Sequence, residues 1–482
     1  MSEELIHLTA TEAAAKLAGG EITPLDLVDA AAARIAAVEP AINALPTLCL
    51  DRARDHAKRL MRGEDREAAN EPGWLGGLPV AIKDLVDVAG VRTTYGSPIF
   101  KDHVPAVSHP LVQRIERKGG IVIGKSNTPE FGAGGSTFNN VFERTRNPWN
   151  TALTSGGSSG GGAAALAAGE VWLAHGTDHG GSLRQPASYC SVVGLRPSPG
   201  RVTRGTSDNL WSPLSLQGPM ARNVKDLALF LDTMAGFCPH DPQTYDPPVV
   251  SFSRAVAEAR PPKRVAFTGD FGGHAVVDPE TREICAKAAR RFIDLGAAVE
   301  EAVPDPGNLH DAFMRLRSQH FVVAREIQLQ QHRGLIKPDI IKNTEYGLKQ
   351  STSDLAWAER ERAAFYRRVI AFFTKYDLLL APSVATPAFD VMLAYPSAIG
   401  GVPLNGYLGN SISFTEVATM ASLPALSVPC GFDQYGRPVG LQIMGPPQGE
   451  ARVLQAGALF EQLGSLDRRV PIDPKPGTVP PS

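Results

Sequence analysis

Cysteine is scarce in this chain of 482 residues: Cys49, Cys190, Cys238, Cys285 and Cys430 are odd in number, scattered and never spaced as C-x-x-C. That pattern excludes a disulfide framework and a thiolate zinc site, and points to a reducing compartment. Charge of either sign is not in excess. Lys plus Arg total 48 against 50 Asp plus Glu, a formal net charge of −2, without the basic surplus of a nucleic-acid groove. No run of about eighteen apolar residues occurs, so no membrane span is expected. The opening residues, MSEELIHLTATEAAAKLAGG, carry acids where a secretion signal carries bases, and the expectation is a cytoplasmic protein. What is there is a composition of 43% hydrophobic and 20% charged residues, enough to bury a large core.

Helix and strand signals alternate along the chain. TPLDLVDAAAARIAAVEP has Thr23 as N-cap, Pro24 at the first helical position and Asp26 three residues after the cap, and its helix is expected to stop near Pro40. LPVAIKD, Leu78 to Asp84, is a short apolar strand running into two charges. HPLVQRIERKGGIVIGKSN reads as helix, glycine stop, then strand Ile121 to Ile123. The same unit recurs from Asp278 and again before LLLAPS. This alternation predicts an α/β fold with a mostly parallel sheet covered by helices on its faces. Between residues 301 and 410 the pattern weakens, through REIQLQQHRGLIKPDIIKNTEYGLKQSTSD and YPSAIGGVPLNGYLGNS, segments suited to covering a site. LPALSVPCGFDQYGRPVGLQIMG resembles a hairpin turning at Asp433 to Gly436. No repeat or linker divides the chain, so one domain over residues 1–482 is expected.

TSGGSSGGGAAALAAG, Thr154 to Gly169, is too rich in glycine for ordinary packing. A flexible linker, a phosphate cradle and a tight turn opening a helix are the competing readings. The alanine run that follows disfavours a linker, and the lack of a Lys beside the glycines disfavours a P-loop. A second glycine pair, Gly180-Gly181, leads to Ser182 at the end of a strand. Such a turn aims consecutive backbone N–H groups at one spot, the geometry that stabilises an oxyanion, with Ser182 as nucleophile. Its base is not obvious. His175 and His179 straddle GTD at a strand end and lack the helix and Glu of a zincin motif. Lys83 follows a buried run, where lysine is rare, although pairing with Asp84 or Asp87 at the surface would also account for it.

GLPVAIKD, RTTYGS, IVIGKSNTPEFG, TRNPWN, GGSSGGGAAALAAG, GTDHGGSLRQPASYC and VGLRPSPGRV occur in the order and approximate spacing of the amidase signature family. The resemblance is dense from about residue 65 to 225 and looser toward both ends. It implies amide hydrolysis by a Ser, cis-Ser, Lys triad on a single large α/β/α domain with a mixed, mostly parallel central sheet, and the weakly patterned residues 301–410 are expected to form its variable substrate-pocket region. By position Lys83 matches the family's lysine, Ser158 the bridging serine that follows a cis peptide bond, and Ser182 the nucleophile. Burial on the apolar strand would then keep Lys83 neutral and able to take a proton.

The resemblance further implies an oxyanion hole from the backbone N–H groups of His179, Gly180, Gly181 and Ser182, with Ser159, Asp178 and Arg184 holding the loops. Gly132, Ala133 and Gly134 of PEFGAGG match a pocket-lining loop, and Cys190 a scaffold position. His179 departs from the small or apolar residue of many relatives. The implied partner is a small-molecule amide, with no cofactor, no metal, no nucleic acid and no membrane span, and a homodimer stays open. Two other outcomes are carried forward. One is the glutaminase component of the tRNA-dependent glutamine amidotransferase, its A chain, which usually shows a Met-Asp-Glu-Phe version of SNTPEFG; the other is a catalytically silent scaffold.

Overall fold

The computed structural model describes residues 2–205, 207–404, 412–464 and 470–480. Its strands are β1 (Thr47–Leu48), β2 (Pro79–Lys83), β3 (Ile121–Ser126), β4 (Leu173–Asp178), β5 (Val193–Arg196), β6 (Leu216–Ala221), β7 (Arg264–Phe267), β8 (Ala298–Glu301), β9 (Leu378–Pro382), β10 (Ala425–Phe432) and β11 (Pro438–Met444). They join into one 11-stranded sheet in the order β1, β3, β2, β4, β6, β5, β10, β11, β9, β7, β8.

The sheet is mixed, as expected, but parallel pairing does not prevail. β3, β2 and β4 are parallel at one flank and β9, β7 and β8 at the other. The pairs between β4 and β9 are antiparallel, as is β1 with β3. Parallel neighbours need a crossover, usually helical, whereas the described residues between β5 and β6 form no helix, so β6 returns antiparallel. β10 and β11 form the hairpin read from the sequence, with the Gly436 N–H bonded to the Asp433 carbonyl.

Helix α1 (Pro24–Ile42) has the capping box predicted for Thr23 and Asp26, but runs past Pro40 to stop at Asn43, whose φ of 53° is left-handed. Proline removes only its own N–H, and near a helix end that loss is tolerated. α2 (Pro110–Arg117) precedes β3, and α3 (Gly160–Ala168), buried along its whole length, follows the glycine loop into the sheet's core. α4 (Arg184–Cys190) follows the second glycine turn, and α5 (Pro279–Arg290) precedes β8.

The weakly patterned region is not irregular: it holds α6 (Leu309–His332), α7 (Pro338–Leu348) and α8 (Thr352–Phe373). α6, α8 and α9 (Ser413–Met420) build a second apolar core around Phe313, Phe365 and Phe414 against Leu379 and Met444. Residues 405–411 of the Gly/Pro-rich stretch lie outside the described residues. Among the described residues no helix is long and apolar enough to cross a membrane.

Candidate active site

β2 and β4 run side by side with Val80 opposite Leu173 and Ala81 opposite Ala174, so their carboxyl ends emerge at the same sheet edge. Open α/β sheets present ligands at that edge. Lys83 ends β2, Thr177 and Asp178 end β4, and the loop from Ser155 to Ser159 enters α3 between them.

Lys83 is fully buried, and its neighbours are hydroxyls. Nζ is hydrogen-bonded to Ser158 Oγ at 2.7 Å, Ser159 Oγ at 2.9 Å and Thr177 Oγ1 at 2.9 Å. Burial drives the amine well below the ordinary lysine range, and the charge of Asp178 opposes this only in part. Pairing with Asp84 or Asp87 is ruled out. Asp84 lies 3.1 Å from the Nζ of a second buried lysine, Lys125, and Asp87 accepts the Tyr95 hydroxyl at 2.6 Å.

The Gly157–Ser158 peptide bond is cis, as the resemblance implies. A Cβ on Gly157 would stand 2.6 Å from the Gly134 carbonyl oxygen, so only glycine fits. The Ser159 N–H donates to the Ser182 carbonyl at 3.2 Å, which ties the first glycine loop to the second.

Asp178 organises the second turn. Its carboxylate receives Arg184 Nε at 3.0 Å and Nη2 at 2.8 Å, together with the N–H groups of Gly181 at 3.0 Å and Leu183 at 3.1 Å. Arg196, which sequence reasoning missed, adds an Nη1 contact at 3.3 Å. The Arg184 charge first, then that of Arg196, holds Asp178 below the usual carboxylate range despite burial. One expectation is therefore corrected: the Gly181 N–H is committed to Asp178 and is not free for an oxyanion. Among the described residues nothing accepts the N–H groups of His179, Gly180 and Ser182. Gly181 itself has φ of 102°, and a Cβ there would lie 2.6 Å from Thr415 Cγ2. From α9 the Thr415 hydroxyl donates to the Gly180 carbonyl and that of Thr419 to the His179 carbonyl, each at 2.8 Å.

Ser158, Ser182, Thr177, His179 and Gly132 line one cavity of about 430 Å³. The His179 ring lies 5.0 Å from that of His320, another lining residue, and burial pushes the His179 imidazole well down. His175 does not converge with it: its ring lies between the Lys83 N–H and Gln217 Oε1. A Cβ on Gly132, whose φ is 73°, would meet Leu85 Cδ1 at 2.8 Å and stand 3.5 Å from Ser158 Oγ, so it is Leu85 and the backbone conformation that call for glycine beside this hydroxyl. Ala133 and Gly134 do not line the cavity, contrary to expectation. Ala133 is buried with Ile336 and Ile340, its carbonyl accepting Lys337 Nζ, and Gly134 backs onto Gly157. Cys190 is buried with its thiol pushed up by desolvation.

The opposite wall comes from α6. Arg317, His320, Phe321, Ala324, Arg325 and Gln328 fall on one helical face at i, i+3, i+4, i+7, i+8 and i+11. Sequence reasoning found no pattern there because a face turned toward a polar cavity need not be apolar.

The amidase family model matches residues 26–454. The acylamidase of Rhodococcus erythropolis is 34% identical over 98% of this chain and 99% of its own length. The A component of the glutamyl-tRNA(Gln) amidotransferase of Moorella thermoacetica is 36% identical over 97% and 99%. Among solved structures, a bacterial aryl acylamidase of the amidase signature family superposes with a TM-score of 0.86 at 30% identity, covering 94% of this chain and 96% of that one. The corresponding A component of the glutamyl-tRNA(Gln) amidotransferase from Thermotoga maritima gives 0.69 at 27%, covering 95% and 94%. The chain belongs to the amidase signature family, hydrolases that act on amide bonds.

Proposed function

We propose that this chain hydrolyses a carboxamide, or an N-substituted aryl or alkyl amide, to a carboxylic acid and ammonia or an amine through an acyl-enzyme on Ser182. The reading extends to a single functional unit over residues 1–482, working in the cytoplasm, in keeping with its free cysteines.

The environment of Lys83 carries the argument. A neutral amine has two N–H donors and one lone pair, whereas the charged form has three donors and no acceptor. The Ser159 hydroxyl is placed to donate to the Thr177 carbonyl at 3.3 Å, so its oxygen is left to accept from Lys83. With the second N–H on Thr177 Oγ1, the lone pair faces the Ser158 hydroxyl. Ser158 then passes its proton to Lys83 as it takes one from Ser182, whose oxygen bonds to the amide carbon. The carbonyl electron pair moves onto oxygen, against the N–H groups of His179, Gly180 and Ser182. Collapse breaks the C–N bond, and protonated Lys83 returns its proton through Ser158 to the leaving nitrogen. Water repeats the sequence on the ester and frees the acid.

The amidotransferase reading is supported by the Moorella thermoacetica relative, but the closer superposition on the acylamidase and the SNTPEFG sequence favour a stand-alone hydrolase. The test is a panel of aryl and alkyl amides, with glutamine included, in the presence of hydroxylamine. An acyl-enzyme yields hydroxamate beside free acid, and rapid acid quench places the acyl mass on the peptide containing Ser182. Acyl mass on Cys190 or Ser158, with Ser182→Ala still active, overturns the mechanism. Turnover of glutamine alone selects the amidotransferase component, and failure of a fluorophosphonate to label the chain selects the silent scaffold.

A further inference from the structure

We infer that Arg325 is a substrate-anchoring residue and that the amide this cavity selects carries a carboxylate. This inference rests on the proposed function, for which it names a substrate class.

The cavity wall holds three guanidinium groups, those of Arg204, Arg317 and Arg325, against the carboxylates of Asp87 and Asp208. The arginines are not equivalent. Arg204 is spent on the protein, donating to the Asn209 and Ser212 carbonyls and to Gln243 Oε1. Arg317 lies over the Phe321 ring, 4.8 Å from its centroid, and has further interactions of its own. Arg325 makes no hydrogen bond or ion pair among the described residues; it lies over the Phe131 ring, whose centroid is 4.0 Å from Cζ. A guanidinium stacked on a ring engages its face and leaves its N–H edge open, and that edge is the planar fork that matches a carboxylate.

The acids that could quench it are turned elsewhere. Glu130 accepts from the Ser97 hydroxyl at 2.6 Å and the Lys337 N–H at 2.9 Å, and Asp87 is held by Tyr95. Asp208 forms no ion pair with Arg325 and is exposed to solvent, although its charge is the first of those that help keep Arg325 protonated. Burial lowers Arg325 to about 10, so it remains a cation at neutral pH.

The platform beneath Arg325 belongs to the reaction centre. Phe131, held at a left-handed φ of 50°, precedes Gly132, where an added Cβ would stand 3.5 Å from Ser158 Oγ. Arg325 is therefore one stacked ring and one residue away from the bridging serine, and it shares a wall of α6 with His320. Arg325 and Ser182 line the same cavity, so a ligand with its amide at Ser182 shares that cavity with the fork.

Two pairs of amides matched in length test this. Glutaramate against pentanamide places the carboxylate on the acyl side, and N-acetyl-4-aminobutyrate against N-butylacetamide places it on the amine side. In at least one pair the wild type should favour the anion by about tenfold or more in kcat/KM, in the range of a charge-assisted bidentate contact. Arg325→Gln should erase the preference mainly through KM, lowering kcat/KM for the anionic member about tenfold more than for its neutral partner, and be partly rescued by Arg325→Lys. Equal or better turnover of the neutral member in both pairs, or a preference that survives Arg325→Gln, overturns the inference. If none of the four turns over while a fluorophosphonate still labels Ser182, the substrate class fails and the nucleophile stands. If labelling fails as well, the underlying reading falls with it.

Discussion

Lys83 Nζ stands 2.7 Å from Ser158 Oγ in a wholly buried site, whereas Lys125, equally buried on the adjacent strand, has the Asp84 carboxylate at 3.1 Å. Desolvation lowers both amines, but for Lys125 the Asp84 charge and hydrogen bond oppose it. On the proposed mechanism Lys125 holds its proton and Lys83 takes one.

Exchange of each lysine for methionine should separate these roles. Lys83→Met should lower kcat/KM by about a thousandfold or more while leaving the melting temperature at neutral pH no lower than that of the wild type, because it replaces a desolvated amine by an apolar chain of similar length. Lys125→Met should strand Asp84 as a buried charge and cost about 3–5 kcal/mol in denaturant unfolding. The same loss of stability in Lys83→Met would refute the neutral-amine account.

The lowered Lys83 value sets two pH dependences. kcat/KM should fall as pH drops through that value, because protonation removes the lone pair. Between it and the ordinary lysine range the unfolded chain binds more protons than the fold, so this residue makes stability rise with pH. Unfolding of Lys83→Met measured across that window should lack this component of the slope.

Thr177→Val keeps the shape of the side chain and removes one acceptor from Lys83. The expected cost is a ten- to hundredfold loss, about 1–3 kcal/mol, in kcat/KM. An unchanged rate would mean that the hydroxyl does not orient the amine.

Gly181→Ala places a Cβ 2.6 Å from Thr415 Cγ2 at a φ of 102°. Both the clash and the backbone conformation oppose it, so kcat/KM should fall by at least about a hundredfold. Thr415→Ala in addition should restore little, because relieving the clash leaves the strain and removes the hydrogen bond to the Gly180 carbonyl. Full restoration by the double variant would show that contact alone excludes a side chain.

Away from the cavity, Glu170 is fully buried beside Glu39, and burial first, then the Glu39 charge, raises it well above the usual carboxyl range. The fold then holds a proton that the unfolded chain has released, so stability falls as pH rises from the ordinary glutamate value to the raised one. Glu170→Gln should flatten that slope and raise the melting temperature at neutral pH. Thermal unfolding at a series of pH values checks it, and an unaltered slope counts against the buried acid.

Much of this molecule was legible locally. The Thr23 capping box, the apolar strand ending in Lys83, the hairpin at Asp433 and the glycine loops are written in consecutive residues, because caps, strands and turns depend on neighbours. Strand direction in the middle of the sheet was not, since it depends on how the chain returns between elements. Nor was the helical character of α6, whose cavity-facing residues blur the apolar period that reveals a helix.

By itself the sequence determined which groups were available: a lysine after a buried strand, two serines framed by glycines, and an Asp and Arg pair beside one of them. Only the tertiary structure decided what those groups do to one another. It brought Thr177 to Lys83, spent the Gly181 N–H on Asp178 instead of leaving it for substrate, and set α9 against the second turn through Thr415 and Thr419. Apart from the three-residue turn between Asp178 and Gly181, those contacts join residues far apart in the chain. Their energies come from burial and exclusion of water, which no local run of residues can supply until the sheet and helices have closed around it.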